Sequence, residues 1–292
     1  MRKSLAFAAA VVAITACSGD KAAKAAADST AAATAAAAEA PATPPVITIT
    51  AKDFSYDAPD TVMGGMVTIK LINQGPDLHH VQFLRLTDGK TAADLEAGLK
   101  LAKPGSPPPP WAHDVAGPNT PVPGGENSIT EMLEPGNYAM ICFIPDSKGV
   151  PHFMHGMVRA LTVIPSTTAA APAPTADINI KLADYAWEVI PEITAGKHII
   201  KLENVAEQSH EMLIAMLAPG KKASDLAAWV LKQVGPPPAK PMGGISGMPK
   251  GGVVYLPVDL EPGEYGLYCF LPDAKDGRPH VDHGMVKQFT VK

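Results

Sequence analysis

An internal repeat constrains this chain more than any other feature. Residues 46–86 (VITITAKDFSYDAPDTVMGGMVTIKLINQGPDLHHVQFLRL) run parallel to residues 177–217 (DINIKLADYAWEVIPEITAGKHIIKLENVAEQSHEMLIAML). Asp53 matches Asp184, Gly65 matches Gly196, Asn73 matches Asn204 and His79 matches His210, every pair at an offset of 131. The later parts match as well: Cys142 faces Cys269, His152 faces His280 and Met157 faces Met285. Two copies of one unit mean two similar domains, and the residues present in both are those the chain kept while its other positions drifted.

The unit itself reads as β. ITITAKDF, MVTIKLIN and HHVQFLRL are rich in β-branched residues, alternate in part, and are bounded by Gly, Pro, Asn and Asp. Pro-Gly ahead of Tyr138 and of Tyr265 is a turn that delivers the next strand. One helix per unit is expected, capped around Thr91–Asp94 and Ser224–Asp225, with a narrow Leu95, Leu99, Ala102 stripe. Pro-rich inserts end both helices. Several short strands with regular turns make each unit an all-β sandwich.

The boundaries follow from composition. Residues 46–164 form domain 1, 165–176 (PSTTAAAPAPTA) a linker and 177–292 domain 2. Residues 18–45, mostly Ala, Thr and Pro, bury too little to fold and read as a tether. Residues 1–17 carry a basic start (Arg2, Lys3), a short apolar run from Leu5 to Ile14, and Ala16-Cys17. That ending resembles a bacterial lipobox, whose cysteine carries the lipid, so Cys17 is the expected lipidation site of an exported protein. The anchor is expected on the periplasmic side, the outer membrane or the cell surface. No apolar stretch is long enough for a spanning helix. The net charge of −5 and the lack of a basic block argue against nucleic acid as partner.

Setting Cys17 aside leaves one cysteine per domain, so no disulfide can form within a domain. Each thiol instead heads a pattern: Cys142, His152, His155, Gly156, Met157, and again Cys269, His280, His283, Gly284, Met285, with His79 or His210 far upstream. Two imidazoles and a thiolate in a plane, with a long thioether contact on the axis, form the donor set of a blue-copper site. Thiolate suits Cu(I) and imidazole tolerates Cu(II), so such a set changes little when one electron passes.

The same residues resemble the cupredoxins, the plastocyanin and pseudoazurin group. Asn73-Gln-Gly75…His79-His80-Val81 is similar to the segment around their first histidine ligand. Tyr138 to Cys142 is similar to the strand entering their cysteine, and His152 to Met157 to the end of their ligand loop. Domain 2 matches through His210, Tyr265–Cys269 and His280–Met285. The resemblance implies two tandem Greek-key sandwiches, about one copper per domain, and the ligands His79, Cys142, His152, Met157, His210, Cys269, His280 and Met285. It also implies one-electron transfer with an exported redox partner.

One departure leaves a choice open. His152 follows Cys142 by ten positions and His280 follows Cys269 by eleven, more than in those families, so His155 and His283 are rival ligands. The spacing to the Met favours His152 and His280. A multicopper oxidase would need further histidines flanking each cysteine, and Ile141, Phe143, Tyr268 and Phe270 stand there instead. An enzyme is therefore not expected. A copper carrier, a copper-free interaction module and an interdomain Cys142–Cys269 disulfide, with Cα atoms within about 7 Å, are the other readings. His80 faces Glu211 in the repeat and reads as a strand residue rather than a ligand.

Overall fold

The computed structural model describes residues 43–292 apart from 104, 105, 107 and 231–233. The expected signal segment, Cys17 and nearly all of the tether lie outside the described residues.

Nine strands and one helix build the first half: β1 (Val46–Lys52), β2 (Ser55–Asp57), β3 (Thr61–Met63), β4 (Gly65–Asn73), β5 (Gln82–Leu86), α1 (Ala92–Leu101), β6 (Ala112–Val115), β7 (Glu126–Leu133), β8 (Gly136–Ile141) and β9 (Val158–Ile164). The second half repeats the plan with β10 (Ile178–Ala183), β11 (Ala186–Ile190), β12 (Gly196–Asn204), β13 (His210–Leu217), α2 (Ala223–Val230), β14 (Ala239–Met248), β15 (Val253–Leu260), β16 (Gly263–Tyr268) and β17 (Val286–Val291).

Period-two alternation sets the layers. In β1, Ile47, Ile49 and Ala51 point inward while Val46, Thr48 and Lys52 face water. They meet Phe83, Tyr138 and Met140 of the facing sheet, β3-β9-β8-β5-β6. β1 pairs in parallel with β4, and β4 antiparallel with β7. In the second half β10 pairs in parallel with β12, and β12 antiparallel with β15. β5 is buried on both faces because α1 covers its outer side: Leu95 packs on Leu84, Leu86, Ala139 and Ile141. α2 does the same over Leu213, Ala215 and Tyr268.

Thr91 caps α1 as expected. Its hydroxyl oxygen accepts from the Asp94 N–H, and the Asp94 carboxylate accepts from the Thr91 N–H. Two details of the helices differ from the sequence reading. α2 begins at Ala223, so Ser224 lies inside it, and Asp225 reaches back to the Lys222 N–H. Ala102 is the exposed C-cap of α1 rather than part of its apolar stripe. Tyr138 and Tyr265 each donate from the phenol to a carbonyl four residues upstream, Glu134 and Glu261, pinning the turn before β8 and β16.

The halves are not strung apart by their linker. β7 pairs with β15, which joins β11-β10-β12-β15-β7-β4-β1-β2 into one eight-stranded sheet, and one apolar cluster runs through both halves. Alongside, residues 117–121 cross residues 242–246 antiparallel. The Asn119 N–H bonds the Gly244 carbonyl, and the Ser246 N–H bonds the Gly117 carbonyl. Gly117 matches Gly244 and Asn119 matches Ser246 in the repeat, so the crossing is near two-fold symmetric. Both glycines are needed for contact. A Cβ at Gly117 would lie 2.1 Å from the Val81 carbonyl oxygen, and one at Gly244 1.8 Å from that of Met212.

Candidate metal centres

The upstream histidines are delivered by locked loops. The Asn73 side chain accepts from the Gly75 N–H and donates to the Asp77 carbonyl. Asn204 makes the same pair with the Ala206 N–H and the Gln208 carbonyl. These loops place His79 and His210 against the sandwich with no exposed area. Cys142 and Cys269 directly follow β8 and β16, both free and fully buried, so the disulfide reading fails.

The long excursion between cysteine and histidine closes on itself. Pro145 pairs with Pro151 and Pro272 with Pro279. Beyond each closure, the His152 N–H bonds the Ile144 carbonyl and the Phe153 N–H that of Cys142. The His280 N–H bonds Leu271 and the Val281 N–H bonds Cys269. The extra residues loop outward, and His152 and His280 return beside the cysteines as if the loop were short. Short 3₁₀ turns, His152–His155 and His280–His283, then end on Gly156 and Gly284 at φ 96° and 95°, a left-handed conformation that favours glycine.

Three donor atoms converge in each half. His79 Nδ1 lies 3.1 Å from His152 Nδ1, and Cys142 Sγ 3.5 Å from His152 Nδ1. In the second half His210 Nδ1 and His280 Nδ1 are 3.1 Å apart, and Cys269 Sγ sits 3.8 and 3.3 Å from them. The point equidistant from those last three atoms lies about 2.0 Å from each, close to typical metal–imidazole and metal–thiolate bonds of about 2.0–2.3 Å.

The hydrogen bonds around each triangle turn its lone pairs inward. Asp53 Oδ1 takes His79 Nε2 at 2.5 Å and Asp184 Oδ1 takes His210 Nε2 at 3.1 Å. With its proton held at Nε2 by the carboxylate, each ring presents a bare Nδ1 to the centre, the usual support for a metal-ligating histidine. The Glu211 N–H points at Cys269 Sγ, 3.4 Å away. Among the described residues, His152 Nε2 and His280 Nε2 are buried with no hydrogen-bond partner.

Burial opposes charge on Cys142, Cys269, His152, His210 and His280. It pushes the Cys142 thiol up to about 12 and Cys269 well above the usual range. It pulls His152 and His280 down to about 4, helped by the neighbouring imidazole, and lowers His210 against the pull of Asp184. Without a cation the second centre therefore holds a neutral thiol and neutral imidazoles, and the first a neutral thiol beside a neutral His152. A cation at the centre reverses the preference of the thiol and ionises it. The donor set and its spacing thus fit a soft-to-borderline metal ion.

The rival histidines do not join. His155 stacks on Phe54 at 4.6 Å and pairs with Asp146 at 3.0 Å. His283 pairs with Asp276 at 3.2 Å. Asp273, Asp276 and His283 also come close, but Asp273 is already engaged by Tyr185, Gln208 and the Lys275 N–H. Met157 and Met285 are fully buried, and their carbonyls accept from the Cys142 and Cys269 N–H groups.

Two pairs of residues escaped the sequence reading of the site. Asp53 and Asp184 stand in the repeat at the same offset as the histidines they hold, and that was a usable signal. His80 and Glu211 share one task under different identities. His80 Nε2 accepts from the Phe143 N–H at 2.9 Å, and Glu211 Oε1 from the Phe270 N–H at 2.7 Å. Each thereby fixes the backbone just after the cysteine. Burial holds His80 down at about 3 and Glu211 up at about 7.

A parallel first pairing, two facing sheets and a buried His-Cys-His triangle at the rim of each sandwich occur together here. The fold is cupredoxin-like. No protein-family model matches the chain, and no curated protein matches it. Among solved structures it is similar to reduced auracyanin from Roseiflexus castenholzii, at 23% identity over 41% of this chain and 97% of that one, TM-score 0.30. Auracyanin A, a "blue" copper protein from Chloroflexus aurantiacus, aligns at 21% over 42% and 100%, TM-score 0.30. A blue copper oxidase from Nitrosomonas europaea aligns at 16% over 86% of each chain, TM-score 0.26.

Proposed function

We propose that this chain is an exported lipoprotein that holds one copper ion in each half and passes single electrons to and from an exported redox partner. The observation that carries the reading is the doubled, buried Nδ1/Nδ1/Sγ triangle, backed in both halves by a carboxylate on the upstream histidine. His79, Cys142 and His152, with Met157 as a further donor, would hold one ion; His210, Cys269 and His280, with Met285, would hold the other. Copper bound there supplies a one-electron couple that thiolate and imidazole accept in both states. The protein's part is to fix the donors. The closed loops, the Asn73 and Asn204 clamps and the Asp–His pairs keep the triangle the same whichever state is present, so little reorganises when an electron passes.

Electron transfer is favoured over substrate turnover because the histidines and cysteines of both triangles have no exposed area, which leaves no room for a reacting molecule. The same burial speaks against a carrier, which has to hand its ion on. Anchoring through lipid on Cys17, with the tether as spacer, is part of the proposal.

The test is metal counting with a visible spectrum of the Cu(II)-loaded protein. Two coppers per chain and an intense thiolate-to-copper band are expected. Cys142→Ser and Cys269→Ser should each remove one copper and part of the band, and the double change should remove all of it. A colourless protein rejects the reading. Incorporation of labelled fatty acid, lost in Cys17→Ser, tests the anchor.

A further inference from the structure

A continuous buried strap of covalent and hydrogen bonds connects the two centres. It starts at Cys142, whose successor Phe143 donates its N–H to His80 Nε2 at 2.9 Å. His80 is bonded to Val81, and the Val81 N–H donates to the Pro118 carbonyl at 3.0 Å. Pro118 is bonded to Asn119, whose Nδ2 donates to Glu211 Oε2 at 3.3 Å. The other oxygen of Glu211 accepts from the Phe270 N–H at 2.7 Å, and Phe270 follows Cys269. His80 is itself bonded to His79, and Glu211 to His210, so each end of the strap reaches a thiol and an imidazole of its centre.

The three side chains that carry the route are buried. His80 is 7% exposed, Asn119 3% and Glu211 6%, and Val81 is sealed. The strap is also held from the side. The Ser246 hydroxyl donates to the Val81 carbonyl, and the Asn119 side chain also bonds the Ile245 carbonyl and the Thr120 N–H. His80 and Glu211 each accept the amide N–H that follows a cysteine, and both bury an ionisable group to do so. What the pair achieves together is a link from one cysteine backbone, through Asn119, to the other.

We infer that the Pro118–Asn119 strap is an electronic bridge along which one electron moves between the two metal centres within a single chain. This rests on the copper reading above. Electronic coupling decays more slowly along covalent and hydrogen-bonded links than across packing gaps, and a low-dielectric interior strengthens each hydrogen bond of such a chain. The step balances without another reagent: reduced copper in one half gives its electron to oxidised copper in the other, and no proton need leave the buried route. The centres are also built to differ. Tyr56 packs near Cys142 where Trp187 stands in the second half, and His80 takes the place of Glu211.

Two measurements test the bridge. In metal-free protein, amide hydrogen exchange of Val81, Phe143 and Phe270 should be slow, as expected of a closed strap. Free exchange at any of the three overturns the proposal. In protein shown by metal counting and by the visible band to hold two oxidised coppers, a sub-stoichiometric reducing flash should be followed by a first-order re-equilibration independent of protein concentration. That phase should vanish in Cys142→Ser and in Cys269→Ser. It should slow at least tenfold in Asn119→Leu and Asn119→Ala, which remove the donor to Glu211. Asp114→Ala breaks a different cross-half bond, to the Ser209 hydroxyl, and should leave the rate unchanged. Absence of the phase in wild-type protein overturns the bridge even if neither Asn119 variant folds. Equal slowing by Asp114→Ala overturns the route. A missing visible band instead sinks the copper reading, and the bridge with it.

Discussion

Metal loading of the second centre should release one proton per ion near pH 7. The free state holds three groups that compete with protons. Burial keeps the Cys269 thiol protonated well beyond neutrality, while His280 at about 4 and His210 below its ordinary value are already bare. A thiolate is required in the bound state, so only the thiol proton has to leave. The affinity should therefore rise tenfold for each pH unit, or 100-fold between pH 6 and 8, which is about 2.7 kcal/mol. As the pH approaches 4, His280 begins to bind a proton and the slope steepens. The assay uses Cys142→Ser, which leaves the second triangle as the only complete one, and zinc, which does not oxidise the thiol. Calorimetric titration in buffers of different ionisation enthalpy counts the protons. Release of two or more near pH 7, in protein also carrying Glu211→Gln so that this buried carboxyl at about 7 contributes nothing, would show charged imidazoles in the free state. Release of none would show a preformed thiolate. Either result refutes the electrostatic account of the centre.

Replacing Asp184 with Ala frees His210 Nε2 and should weaken metal binding about 10–100-fold without loss of the fold, measured by competition with a chelator. His152 and His280 stay neutral in the folded metal-free protein down to about pH 4 but take protons below about 6.5 when unfolded. Stability is thus complete above pH 6.5 and falls as the pH drops towards 4, by about 3 kcal/mol for each imidazole; urea titrations across that window should show the loss, and bound metal should suppress it. Glu131 is buried between the halves with Oε1 unpartnered, and burial raises its pKa well above the usual range. Glu131→Met should therefore stabilise the protein by about 1–3 kcal/mol at pH 8 and by less at pH 5, read from denaturant midpoints.

The strand pattern was open to reading because β1, β4, β5 and their counterparts bury alternate or continuous apolar residues whose period is visible without coordinates. The His79, Cys142, His152 and His210, Cys269, His280 groups were legible because the chain carries them twice in one order. What resolved the ambiguity over His155 was invisible in the spacing: the backbone pairing of Pro145 with Pro151 removes the excursion from the path between Cys142 and His152. Asp53 and Asp184 were in view and passed over, since an aspartate matched in a repeat is as easily a turn residue. His80 and Glu211 face each other in the repeat, but a histidine and a glutamate share no identity, and their common task shows only in the amide after the cysteine that each accepts. The joined sheet was equally hidden, because nothing in the sequence of β7 or β15 says which edge finds which partner.

The β7–β15 seam and the Gly117/Gly244 crossing look the same when the halves trade places, so each half carries a self-complementary face. Peptide continuity through residues 165–176 is then a convenience rather than the glue. A protease cut there should leave two fragments that migrate together and melt in one step. A gene for either half alone would yield a protein whose natural resting form is a pair.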